Sequence, residues 1–173
     1  MTEKIHAPVE KSMEPYNLIK ESIELYDRIY RSIISKLQDE KKVSNLESSL
    51  RARSREMPSL IQEIGLIGAL SYCFSKGSEY EEIIKIIEGE SNKDKIKEYA
   101  KKTDAGYSIY LYILLNAINH TKLLQVEINK PYEAIKQLSI NLNKTRIIER
   151  MIFPYLLQIK RLCEASLRSG EEV

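Results

Sequence analysis

The chain has 173 residues, of which 30% are charged, and a formal net charge of +2. This length is enough for one domain with a buried core, and the near balance of charge excludes a polycation that binds nucleic acid over its whole surface. Two cysteines without metal-ligand spacing predict buried free thiols in a reducing compartment, and the lack of an N-terminal secretion signal favours a cytoplasmic protein. Abundant isoleucine, lysine and glutamate with few glycines and prolines are typical of a thermophile.

The N-terminal part of the chain predicts a tail followed by two helices. Residues 1–14 show no hydrophobic period and are expected to form a flexible tail. Apolar residues recur in pairs over residues 16–38, which predicts a long amphipathic helix. After a polar turn at 39–42, residues 43–56 predict a second helix.

A proline and two glycines predict a joint after this second helix. The residue before a proline is pushed away from helical angles, so the helix should end or kink near Met57 and a third helix should begin at Pro58. Gly65 and Gly68 would leave a flat face on the third helix, which predicts the close approach of a neighbouring helix. The pair Lys-Gly predicts that this helix ends at Lys76.

The middle of the chain predicts two short helices and one long one. Ser78 and Asn92 are the predicted caps of the short helices, and the first of these is strongly acidic. Residues 105–121 carry no charge but include several polar residues. They predict a core helix reaching to about Val126, in preference to a membrane span.

Two further helices are predicted in the C-terminal part of the chain. Pro131 starts the first, and the second covers residues 144–168 with a bend at Pro154. No period-2 strand pattern stands between turn signals. The fold class is therefore expected to be all-α, a compact single-domain bundle of five to seven helices at 15–169 with a flexible tail at 170–173.

The last helix carries a basic face. At about 100° per residue, four of its arginines fall within about 60° of one another, with Lys160 alongside: Arg146, Arg150, Arg161 and Arg168. A stripe of arginines about 30 Å long can follow a phosphate backbone, because guanidinium groups bind phosphate in a fork and each neutralised phosphate releases counterions. The alternative interpretation is the solvated face of an amphipathic helix.

A second basic patch is predicted around Arg51 and Arg55, which share one helix face at a spacing of four. Arg53 points elsewhere, and its position fits an internal ion pair as well as contact with RNA. Lys76 either caps its helix or reaches phosphate.

The residue sets of common active sites are missing from the sequence. The only histidines are His6 and His120, and neither belongs to a metal-binding pattern. Helical ribonucleases place an arginine four to six residues before the histidine, and residues 113–116 contain none. We therefore expect no enzyme activity, no catalytic residues, no metal and no cofactor.

Two segments resemble a known family. They comprise residues 57–61 (Met-Pro-Ser-Leu-Ile), 65–66 (Gly-Leu), 69–70 (Ala-Leu) and Lys76 in the first segment, and 160–165 (Lys-Arg-Leu-Cys-Glu-Ala) in the second. The chain resembles the small subunit of the type III-B CRISPR RNA-targeting complex, the Cmr complex, or a divergent type III small subunit. This resemblance covers roughly a third of the chain.

The resemblance implies a non-catalytic small subunit of an antiviral effector complex. Several copies would stack along the guide-target duplex, beside the other subunits and in contact with target RNA and guide RNA, while base pairing supplies specificity. A membrane and a small-molecule substrate are not expected. The residues it implies for RNA binding are Arg51, Arg53, Arg55, Lys76, Arg146, Arg150, Lys160 and Arg161. A stand-alone helical DNA-binding protein and a helical ribonuclease remain the alternatives.

Overall fold

The computed structural model describes residues 15–37, 44–77, 79–90, 93–102 and 104–169. The tails predicted at 1–14 and 170–173, the turn predicted at 39–42 and the predicted caps Ser78 and Asn92 lie outside the described residues. Every regular element within the described residues is helical, which confirms the predicted all-α fold class.

The described residues form seven helices when continuous segments are counted together. They are α1 (Pro15–Ile29), which continues through a π-helical segment (Tyr30–Ile34) into α2 (Ser35–Leu37), and then α3 (Asn45–Lys76), α4 (Tyr80–Ile87), α5 (Lys93–Tyr99), α6 (Ala105–His120), α7 (Pro131–Ile140) and α8 (Leu142–Ser166). Helix α3 packs against both α6 and α8, and α1 packs against α8.

Helix α6 is the core of the bundle. Apart from Tyr107 and its last turn, the helix is buried, which confirms the predicted core helix. It ends before the predicted Val126 because the Asn119 side chain folds the following loop back. That side chain accepts a hydrogen bond from the Val126 N–H at 2.7 Å and donates one to the Val126 carbonyl oxygen at 2.9 Å.

Helices α3 and α6 approach closely at Gly106 of α6. A Cβ atom on Gly106 would lie 2.7 Å from the backbone nitrogen of Leu50 in α3. Of the two glycines of α3 at which the sequence predicts a close approach, Gly65 has Glu149 Oε2 of α8 3.6 Å from the position of a Cβ atom, whereas at Gly68 the nearest atoms belong to Ile64 of the same helix. The glycine that lets the two helices meet is therefore on α6.

The break in α3 lies at Gly65, and the predicted break near Met57 is wrong. The helix continues through Pro58, and only Gly65 has non-helical angles, with φ 77° and ψ 166°. Met57 and Pro58 are both buried, and we attribute the continuous helix to this packing, which offsets the local cost of a proline. The angles of Gly65 belong to a region that residues with a Cβ atom almost never adopt.

A carboxylate from α8 caps the helix that restarts after the break. The Leu66 N–H donates a hydrogen bond to Glu149 Oε2 at 2.8 Å. The first N–H groups of a helix have no partner within that helix, and a negative charge near them is favourable. Glu149 therefore stabilises the second half of α3 and ties it to α8.

Helix α3 is the one described helix that meets the length and composition of a membrane span, with a mean hydropathy of 1.2 over 18 residues. The break at Gly65 interrupts this helix. Core helices of soluble proteins meet the same criterion of length and composition.

Replacing Glu149 by alanine is expected to lower the free energy of unfolding by about 1 kcal/mol, because the Leu66 N–H loses its acceptor. Glu149→Gln should cost less, since its amide oxygen can still accept. Urea unfolding followed by circular dichroism measures both. Glu63→Ala is the control: it removes an exposed carboxylate of α3 that pairs with no described residue, and its effect should stay within about 0.5 kcal/mol. Equal midpoints for Glu149→Ala and Glu63→Ala would contradict the capping role.

Gly106→Ala is expected to destabilise the protein by about 1 to 3 kcal/mol, because the added methyl group would overlap the backbone of α3. Gly89→Ala is a useful comparison, since a Cβ atom there meets nothing within 4 Å and only the positive φ of 85° is strained. Thermal unfolding should place the Gly106 variant below the Gly89 variant. The reverse order would show that α6 can shift away from α3 at little cost.

Candidate nucleic-acid interface

The outer face of α8 is basic. Arg146, Arg150 and Arg161 are exposed, and Lys160 is half-buried beside them. No described carboxylate forms an ion pair with any of these four residues. Helix α8 runs uninterrupted through Pro154, so Arg146 and Arg161 are about 22 Å apart along the helix axis.

Both carboxylates of α8 are bound to α3. Glu149 accepts the hydrogen bond from Leu66, and Glu164 Oε1 accepts one from Arg55 Nε at 3.0 Å. These two residues would otherwise reduce the positive potential of the helix. Their contacts with α3 leave the basic residues as the charges of α8 that face solvent unpaired with any described residue, namely the arginines, Lys160 and Lys144 near the start of the helix.

Arg168 does not belong to the basic face that the sequence predicted. Helix α8 ends at Ser166, and the chain after it is extended. The Arg168 guanidinium binds Glu47 at 2.6 Å, and Glu47 is fully buried. The basic face is therefore shorter than the predicted 30 Å, because tertiary contacts hold the arginine at its end.

Arg51 and Arg55 attach α3 to the C-terminal end of α8. Arg51 Nη1 donates a hydrogen bond to the Leu167 carbonyl oxygen at the C-terminal end of α8. A positive charge at that end of a helix is stabilising. Arg55 pairs with Glu164, and its side chain is 52% exposed. The two arginines share one face of α3, as the sequence predicted, and each binds an acceptor at the end of α8, although Arg55 remains half-exposed.

Arg53 makes an internal contact, one of its two predicted roles. Its guanidinium lies 2.9 Å from Glu56 and 4.5 Å from the ring centre of Tyr107, and it also donates to the Tyr107 hydroxyl. Its side chain is only 19% exposed. Burial raises the pKa of Tyr107 to about 12, although the nearby Arg53 opposes this shift. Arg53 therefore stabilises the packing of α3 on α6.

Lys76 is exposed in the last turn of α3, and no described carboxylate pairs with it. Both of its predicted roles, capping and phosphate contact, fit this position.

A cavity lies beside the basic face, between α3 and α8. Its volume is about 280 Å³, and it is lined by Ile61, Gln62, Glu149, Arg150 and Phe153. The sequence analysis did not identify Gln62 or Phe153 as candidate site residues. Phe153 could have been found from the sequence, because it lies three residues after Arg150 and therefore on the same side of the last helix.

A larger groove lies at the other end of α3, where α4 and α7 begin. Its volume is about 650 Å³. Phe74 and Tyr132 line it and are 41% and 64% exposed. Four glutamates and two lysines also line it, so the groove combines exposed rings with a net negative charge: Glu79, Glu81, Glu82, Glu133, Lys85 and Lys130. The acidic region predicted from the sequence contributes one wall of this groove.

His120 and the cysteines show no arrangement of catalytic groups. His120 Nε2 lies 3.6 Å from Glu21, and its ring packs near Tyr155. Cys73 and Cys163 are free and buried, as predicted, and burial raises the pKa of each thiol to about 12. The described residues contain no group of three histidine, cysteine or acidic side chains that could hold a metal ion.

His120→Gln is expected to make the protein less sensitive to acid. Burial lowers the pKa of His120, although Glu21 opposes this shift. As the pH falls below about 6.5, the unfolded chain binds a proton that the folded protein resists, so His120 lowers stability in acid. Urea midpoints at pH 7.5 and pH 5 should therefore differ less in His120→Gln than in the wild type. Glu21→Gln should show the opposite, a larger difference, because it removes a charge that favours protonation. If both variants showed the same difference between the two midpoints as the wild type, the lowered pKa of His120 would be contradicted.

Comparison with family models, curated proteins and solved structures found no match for this chain. The resemblance to the Cmr small subunit therefore depends on the segments at 57–76 and 160–165. In the first segment, the apolar residues Met57, Ile61, Leu66 and Leu70 are buried in the core.

Proposed function

We propose that this chain is a non-catalytic small subunit of an RNA-guided effector complex, and that the outer face of α8 binds the phosphate backbone of RNA. One observation carries the proposal: Arg146, Arg150 and Arg161 face solvent on one helix without a described acidic partner. Such arginines need not break an ion pair within the protein before they bind phosphate, and each phosphate that they neutralise releases counterions from the RNA. The family resemblance supports RNA as the ligand.

Contacts to backbone phosphates carry no sequence information. The protein would therefore add affinity without base preference, and the guide RNA would supply specificity by base pairing. Arg51, Arg53 and Arg55 hold α3 in place in this proposal, and Lys76 offers a second, separate contact.

The groove at the start of α4 and α7 is the surface that we assign to protein partners. Exposed aromatic side chains such as Phe74 and Tyr132 are typical of the residues that contribute most to protein interfaces. Carboxylates outnumber lysines in the lining of this groove by four to two, and this net negative charge disfavours nucleic acid there. Protein and RNA would thus occupy different parts of the molecule.

The test is the affinity for an unstructured RNA of about 40 nucleotides at several salt concentrations. We expect weak binding that falls with salt in the wild type. The triple variant Arg146→Gln/Arg150→Gln/Arg161→Gln should reduce the slope of log affinity against log salt by about two, since each lost phosphate contact is worth about 0.7 for a single strand.

A matched control removes the same charge elsewhere. Lys20, Arg31 and Lys85 are exposed residues of α1, the π-helical segment and α4, each paired with a carboxylate on its own helical run. Their triple replacement by glutamine should leave the slope near the wild-type value. Equal slopes for the two triple variants would place the RNA path away from α8, and loss of the RNA during incubation would contradict a non-catalytic role.

A further inference from the structure

The cavity between α3 and α8 has the composition of a binding site for a flat, uncharged group. Ile61, which is 1% exposed, and the half-buried Phe153 provide apolar surface. Gln62 and Arg150 are exposed and provide polar groups at the opening. Sites for small ligands commonly combine apolar walls with a few convergent polar groups.

Glu149 restricts which groups can enter. Its Oε2 accepts from the Leu66 N–H, and no described residue donates to Oε1. A carboxylate in the wall repels a phosphate, whereas its remaining oxygen can accept from an amine or ring N–H of a nucleobase. The cavity therefore favours an uncharged group with hydrogen-bond donors over the phosphate that Arg150 would attract.

The position of the cavity connects it with the basic face. Arg150 lines the cavity, and Arg146 lies one helical turn away on the same face. Phe153 follows Arg150 by three residues, which is about 4.5 Å along the helix. A strand whose phosphates bind Arg146 and Arg150 would thus pass directly over the opening.

We propose that this cavity takes one unstacked base of a single-stranded nucleic acid, with Phe153 as the stacking surface. This inference depends on the proposed function of α8, because the arginines hold the strand in place. Stacking on an aromatic ring tolerates every base, so the site adds affinity without selecting a sequence. It also favours single strands over duplexes, since a paired base must first leave its stack.

The experiment compares three ligands of 20 nucleotides: oligo(rU), oligo(dT) and an abasic DNA strand that has sugars and phosphates only. Phe153→Leu keeps apolar volume but removes the ring, and it should weaken oligo(rU) and oligo(dT) binding about fivefold. Its affinity for the abasic strand should match the wild type. Phe153→Tyr keeps the ring and should bind all three ligands within about twofold of the wild type. Thermal unfolding confirms that each variant is folded.

The double variant Arg146→Gln/Arg150→Gln separates this inference from the proposed function. It should weaken all three ligands, because each carries phosphates. Wild-type affinity of Phe153→Leu for oligo(rU), together with weak binding by the arginine variant, would overturn the base site and leave the basic face intact. Equal losses of Phe153→Leu on oligo(rU) and on the abasic strand would also overturn the base site. Failure of the wild type to bind any ligand would overturn both proposals.

Discussion

The hydrogen bond between Leu66 and Glu149 makes the arrangement of the long helix possible. A straight helix of 32 residues would be about 48 Å long, whereas a compact chain of this size, with a radius of gyration of about 16 Å, has a diameter of about 40 Å. Gly65 breaks the helix, and the carboxylate from α8 caps the part that follows. Both halves of α3 can then remain packed on the bundle, the first of them against α6 at Gly106.

The arginines of this protein have different roles although their chemistry is the same. Arg51, Arg55 and Arg168 bind acceptors that the fold places near them, namely a helix-terminal carbonyl and two glutamates. Arg146 and Arg150 meet no such acceptor among the described residues. An arginine already bound inside the protein gives up contacts when it moves to a phosphate, whereas an exposed one gives up only water and counterions. We therefore choose α8 as the candidate interface because its arginines are free of partners among the described residues, and not because of how many charges it carries.

Helix α8 combines structural and binding roles along its length. Its inward residues complete the core, Glu149 and Glu164 hold α3, and the arginines face solvent. The contacts to α3 also keep the basic residues on a rigid element, which suits a surface that must hold a strand in one position. In our proposal, the cavity beside Phe153 uses the same rigidity, since its two walls come from the helices that Glu149 joins.

The sequence by itself determined the all-α fold, the identity of α6 as the core helix, the burial of both thiols and the basic outer face of α8. These properties depend on the hydrophobic period and on the charges within one helix, so residues close together in the sequence are enough to predict them. The tertiary structure decided that α3 breaks at Gly65 and not near Met57, and that Arg51, Arg53 and Arg55 bind acceptors of the protein itself. These outcomes depend on partners far away in sequence: Glu149 is 83 residues from Leu66, and Glu164 is 109 residues from Arg55. Local propensity carries no information about such partners, because packing alone brings them together.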